Sequence, residues 1–243
     1  MKKILALVLC LMLALSMTAF AETTVTSMNI TLSEIELNVG EAYALNPAVS
    51  FSFGVDGEAF WAEVAAQLEG ANVLALQIEG MSDDTAYVSV DGANDVLKVA
   101  NVSELANTQG FDLVGTIESL KESFLQMGDA AAIEAQLDSL ASMDEEGLTV
   151  EKLGELDYKV AYTEAESGLS VSLRMTIALG TEKPFDLLSK NAVEISADMT
   201  TLPENDVITV AQEKLGVLMA DESVAALVTL ISAFTGATSA SAA

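Results

Sequence analysis

Between Leu169 and Leu179 the chain alternates without error: Leu169, Val171, Leu173, Met175, Ile177 and Leu179 are apolar, and Ser170, Ser172, Arg174, Thr176 and Ala178 separate them. Successive side chains of a strand point to opposite faces, so this period of two describes a strand with one buried face and one wet face. Tyr158, Val160 and Tyr162 alternate just ahead of a Glu164–Gly168 turn. The pattern predicts an antiparallel hairpin with 162 opposite 169, 160 opposite 171 and 158 opposite 173, and with both apolar sets on one face.

The rest of the chain repeats the theme with interruptions. Met28, Ile30 and Leu32 alternate, slip by one at Ser33-Glu34 and resume as Ile35, Leu37 and Val39. A slip of one turns every side chain over, so a bulge or a tight turn is predicted there. Val49, Phe51 and Phe53 mark another strand, and Phe60, Trp61, Val64 and Leu68 predict a helix over Glu58–Leu68 that starts at Asp56 and closes at Gly70. Leu74-Leu76-Ile78, Ala86-Val88-Val90 and Val96–Val99 form an antiparallel meander with short polar turns. From Phe111 the period becomes 3.6: Leu113, Ile117, Leu120, Phe124 and Met127 make one apolar stripe, and Ile133, Leu137 and Leu140 make a second after Gly128-Asp129, which together predict a helical hairpin. Val193–Met199 and Val207–Val210 read as strands, and Glu222–Phe234 as an apolar helix. The fold class expected is α+β: a curved antiparallel sheet of about 9–10 strands, half-barrel-like, covered by the helical hairpin, with a C-terminal helix added.

Residues 1–21 have the anatomy of a secretory leader of bacterial type. Lys2 and Lys3 precede an uncharged apolar run, and Ala19-Phe20-Ala21 offers small residues for cleavage after Ala21. Cys10 lies in the middle of that run rather than at its end, which does not suit lipid attachment. One domain over residues 22–235 and a low-complexity, disordered tail over 236–243 complete the expected organisation.

Composition then excludes whole classes of function. The chain carries 37 acidic and 10 basic residues, no His and one Cys, for a formal charge of −27. Without His, and with its one Cys in the leader, it has no Ser-His-Asp triad, no thiol nucleophile in the exported part and no zinc site of the usual ligand set. Nucleic acid is excluded as a partner because phosphate binding needs clustered Lys and Arg. No apolar run after the leader reaches the about 18 residues of a membrane span. Carboxylate chemistry remains open, but a glycosidase also wants aromatic sugar platforms and there is one Trp. Asp83-Asp84 and the Asp91–Asp95 turn could suggest calcium, yet Ala93 occupies a ligand position and no Glu closes the loop, so turn chemistry explains them better. The acidic run Asp144–Glu146 with Glu151, Glu155 and Asp157 is read as a solvated surface open to a basic partner. No enzyme activity, cofactor or metal is expected.

Over residues 25–210 the order of elements resembles the LolA-like and LprG-like half-barrel family, exported bacterial carriers of lipids or lipoproteins. The resemblance is one of architecture and transfers no residue; it implies a cavity for acyl chains between an incomplete barrel and its helices. The opening strands, from Ile30-Thr31-Leu32 to Gly40-Glu41, are also similar to those of a bacterial Ig-like surface domain, a likeness that nothing after Phe53 continues. Two functions therefore stand as expectations. In the first, a secreted carrier holds an apolar or lipid-like ligand against Tyr158, Val160, Tyr162, Leu169, Val171, Leu173, Met175 and Ile177 of the sheet and Leu113, Ile117, Leu120 and Phe124 of the cover. In the second, a secreted structural or adhesive module uses the same residues as filled core. Neither expectation names a protein partner.

Overall fold

The computed structural model describes residues 26–56, 59–81, 84–102, 130–141, 147–196, 199 and 201–235. The leader, the predicted helix over 111–127 and the tail lie outside the described residues. In chain order the elements are β1 (Ser27–Asn38), β2 (Ala42–Leu45), β3 (Ala48–Asp56), β4 (Ala59–Leu68), β5 (Ala71–Met81), β6 (Thr85–Val90), β7 (Asp95–Ala100), α1 (Ala130–Ala141), β8 (Leu148–Gly154), β9 (Asp157–Thr163), β10 (Ser170–Leu179), β11 (Asn191–Ile195), α2 (Val207–Met219) and α3 (Glu222–Thr235). The molecule is α+β, and its strands form one curved, unclosed sheet of 11 strands.

The strand order is β11-β7-β6-β5-β4-β3-β1-β10-β9-β8, with β2 on β1. β1 is the seam. Ile30 pairs with Phe51 of β3 on one side and with Ile177 of β10 on the other, so the N-terminal meander and the later hairpin share one sheet. The slip at Ser33-Glu34 is a bulge: the β1–β10 register shifts between Ser33 and Glu36, and Glu34 takes a φ of 50°. The extra residue keeps Ile35 and Leu37 on the face of Met28, Ile30 and Leu32.

Several elements differ from expectation. Residues 59–68 form a strand, not a helix, and Glu69-Gly70, with φ of 52° and 80°, is a two-residue hairpin turn rather than a helix cap. The Ala-rich sequence favours a helix locally, but β4 is paired along both edges, and tertiary pairing overrides propensity. The indole of Trp61 lies over Gly54 and the ring of Phe60 over Gly80, positions where a Cβ would collide with the rings. Residues 207–210 open α2 instead of forming a strand, since Val207, Val210 and Ala211 at helical spacing pack on Leu74, Val90 and Leu97. β11 ends at Ile195 and runs parallel to β7, so the sheet is not wholly antiparallel. In the β9–β10 hairpin, Tyr158 faces Met175, Val160 faces Leu173 and Tyr162 faces Val171, two positions from the predicted register. The turn is tighter than supposed, since the Glu164 N–H bonds the Leu169 carbonyl and pairing continues past Thr163–Ser170 to leave only residues 165–168 in the loop. A shift of two preserves the faces, so both apolar sets still point the same way.

Residues 180–190 form a strap from β10 to β11, crossing seven strand spacings. On a flat sheet that path is about 34 Å, close to the roughly 40 Å limit of so short a segment fully extended. The strap is not extended, for the Lys190 N–H turns back to the Leu187 carbonyl. The sheet between β10 and β11 therefore curls toward the strap, and α1 and α2 pack on the opposite face.

Candidate functional site

The apolar face selected from sequence is assembled as a unit, and its centre is filled. Tyr158, Met175 and Ile177 are buried together with Met28, Ile30 and Leu156 beneath Ile133 and Leu137 of α1, which are 0% and 1% exposed. Val160 and Val171 are buried beside them, whereas Tyr162, Leu169 and Leu173 are half-buried. Leu113, Ile117, Leu120 and Phe124 lie outside the described residues.

A polar latch ties α1 to this face. The Lys152 ammonium donates to Glu134 at 2.7 Å and Asp138 at 2.9 Å, and the Tyr158 hydroxyl donates to Asp138 at 3.1 Å. Burial first, and then the Asp138 hydrogen bond, push the Tyr158 hydroxyl up to about 12. The Glu134 and Asp138 hydrogen bonds hold Lys152 above its ordinary range, and Asp138 is lowered chiefly by Lys152. The buried tyrosine and its neighbours are thus locked in one charge state near neutrality, which suits a fixed joint better than a proton-transfer site.

The Asp91–Asp95 turn is structural. Asp206 accepts the backbone N–H groups of Asn94 at 2.8 Å and Asp95 at 3.0 Å, while the Asp206 N–H returns a bond to Asp95 at 3.1 Å. Those carboxylates are occupied in fastening α2 to the sheet. At the other helix, Asp221 accepts the N–H of Ser223 at 2.9 Å, and the Ser223 hydroxyl accepts the N–H of Asn46 at 2.9 Å.

Sequence reasoning missed the strap-side face. Asn29, Ser52, Glu63, Gln77 and Ser89 lie directly opposite one another across β1, β3, β4, β5 and β6, forming one polar row. All of them but Asn29 are buried. The Asn29 amide donates to the Ser52 hydroxyl at 2.6 Å, the Gln77 amide to Glu63 Oε2 at 2.9 Å, and the Ser89 hydroxyl to the Asp95 carbonyl at 2.9 Å. The next row holds Gly54, Trp61 and Glu79, covered by the strap: Phe185 meets Trp61 edge-on at 6.1 Å, Lys183 pairs with Glu79 at 2.7 Å, and the Leu187 N–H donates to Glu79 at 3.2 Å. The available signal was the alternation of Glu63 and of Gln77-Glu79 with apolar neighbours, which is normally read as a solvent face.

No protein-family model, curated protein or solved structure matches the chain.

Proposed function

We propose that the protein is a non-enzymatic, exported structural or adhesive module whose apolar sheet face is packed core. One observation carries the reading: Ile133 and Leu137 are fully buried among Tyr158, Met175 and Ile177, the place where an apolar ligand would have to lie. The latch of Lys152, Glu134, Asp138 and Tyr158 supports it, since lifting α1 would break three polar contacts as well as uncover the core. A second reading, carriage of a lipid-like molecule, is favoured by the half-buried Tyr162, Leu169 and Leu173 at the turn end of the hairpin.

Leu173 separates the two. As core filler, Leu173→Ala costs about 2–5 kcal/mol and Leu173→Trp also destabilises. As cavity wall, the alanine variant costs less and the tryptophan variant blocks ligand with little loss of stability. Urea midpoints of both variants, with uptake of an environment-sensitive fluorescent fatty acid by the parent and Leu173→Trp, form the test. Saturable uptake by the parent, abolished in Leu173→Trp, would overturn the module reading.

A further inference from the structure

Among the described residues two buried glutamates stand on the strap-side face, and only one of them has a counter-charge there. Glu79, 3% exposed, is neutralised by Lys183. Glu63, 6% exposed, receives one hydrogen bond, from the neutral Gln77 amide on Oε2, and makes no ion pair among the described residues. A buried carboxylate without a cation or a full set of donors is costly, and folded proteins keep such groups paired. Close by, Ser50 is 2% exposed and its hydroxyl forms no hydrogen bond among the described residues. Among the described residues Thr181 Oγ1 is the one wholly sealed side-chain oxygen without a partner, so Glu63 Oε1 and Ser50 Oγ each keep a small exposed area.

The three oxygens are neighbours by register. Ser52 lies directly opposite Glu63, and Ser50 is two positions along β3 on the same face, opposite Ala65. Directly opposed Cβ atoms are about 5 Å apart and diagonal ones roughly 7–8 Å, within the reach of a glutamate. Ala65 and Ala75 fill the adjoining positions with small side chains, and Trp61, two residues from Glu63 on the same face, provides an aromatic flank.

We propose that this face binds a primary ammonium group, with Glu63 as counter-ion and Ser50 and Ser52 as further acceptors. Register sets these three acceptors on neighbouring positions of one face, with Ser52 Oγ keeping a lone pair beyond its bond from Asn29, and three is the number of donors an ammonium carries. Calcium wants about six to eight oxygens, which one carboxylate and two hydroxyls do not supply, and Gln77 turns its N–H rather than its oxygen to the carboxylate. The site is independent of the core-packing reading, because it lies across the sheet from α1.

Trp61 is the one tryptophan in the chain and lies two residues from Glu63 on the same face, so its fluorescence is the probe. The experiment titrates ethylammonium chloride into the full chain and follows indole fluorescence, with NaCl, tetramethylammonium chloride and CaCl2 at matched ionic strength. A saturable change with ethylammonium alone, at least tenfold weaker in Glu63→Gln, is expected. If the glutamine variant does not fold, Ser50→Ala serves, with affinity again expected to fall severalfold. An ethylammonium response no different from NaCl, an equal response to tetramethylammonium or calcium, or unchanged affinity in the variants would overturn the assignment.

Discussion

Gly147 and Gly180 have similar left-handed backbones, with φ of 83° and 65°, yet their surroundings differ. A Cβ on Gly180 would meet nothing within 4 Å, whereas one on Gly147 would sit 2.2 Å from the Thr163 carbonyl oxygen, which accepts no such approach. Gly180→Ala should cost only the conformational penalty of about 1–2 kcal/mol. Gly147→Ala adds a collision with backbone, which cannot rotate away, and should cost distinctly more; urea midpoints of the two variants, measured side by side, check the difference. Equal losses would mean that β8 is free to move away from β9. The same scale explains why Glu63 was illegible in sequence. A glutamate between Ala62 and Val64 reads as the wet side of a strand, and only the pairing of Ser52, Glu63 and Gln77 across three strands reveals a buried polar row.

At the scale of elements, legibility followed the cleanness of the local period. The β9–β10 hairpin, the β5–β7 meander and the bulge in β1 are each written in alternation, and they form. β4 was misread because alanine obeys either period and the two aromatics of Phe60-Trp61 point to opposite faces, each over a glycine of a neighbouring strand that no local pattern reveals. α2 was misread because its β-branched start is fixed from 111 and 112 residues away, by the exchange of bonds between Asp206 and the Asn94-Asp95 turn. That clamp has a pH signature. Backbone donors from Asn94 and Asp95 hold the Asp206 carboxyl below its ordinary range. A carboxyl lowered in the folded state adds stability that is complete above its unfolded pKa of about 3.9 and fades as pH falls toward the folded value. Asp206→Asn should therefore be less stable than the parent at pH 7, with the gap narrowing below about pH 4. A gap constant from pH 7 to pH 3 would show that the carboxylate charge plays no part in the clamp.

For the whole molecule, the excess of acids sets the response to salt. Lys98, Lys152, Arg174, Lys183 and Lys214 pair with carboxylates, yet with all 10 basic residues counted against 37 acids the formal charge is still −27. Raising NaCl from about 10 mM to 150 mM shortens the Debye length from about 30 Å to about 8 Å and should raise the thermal midpoint, because self-repulsion is screened more than the close pairs are weakened. A midpoint that falls would place the ion pairs above the repulsion. The seam at β1 bears on how the chain comes to be folded at all. Ile177, the β10 partner of Ile30, follows it by 147 positions, while the β3 partner Phe51 follows within one hairpin's length. Contacts close in sequence form before distant ones, so the edge of β1 that pairs with β3 closes first and the edge that awaits β10 stays open longer. An unpaired edge is a template for the wrong chain, and the bulge at Glu34, which interrupts that edge and sets an acidic residue in it, shortens the stretch on which a stranger could align.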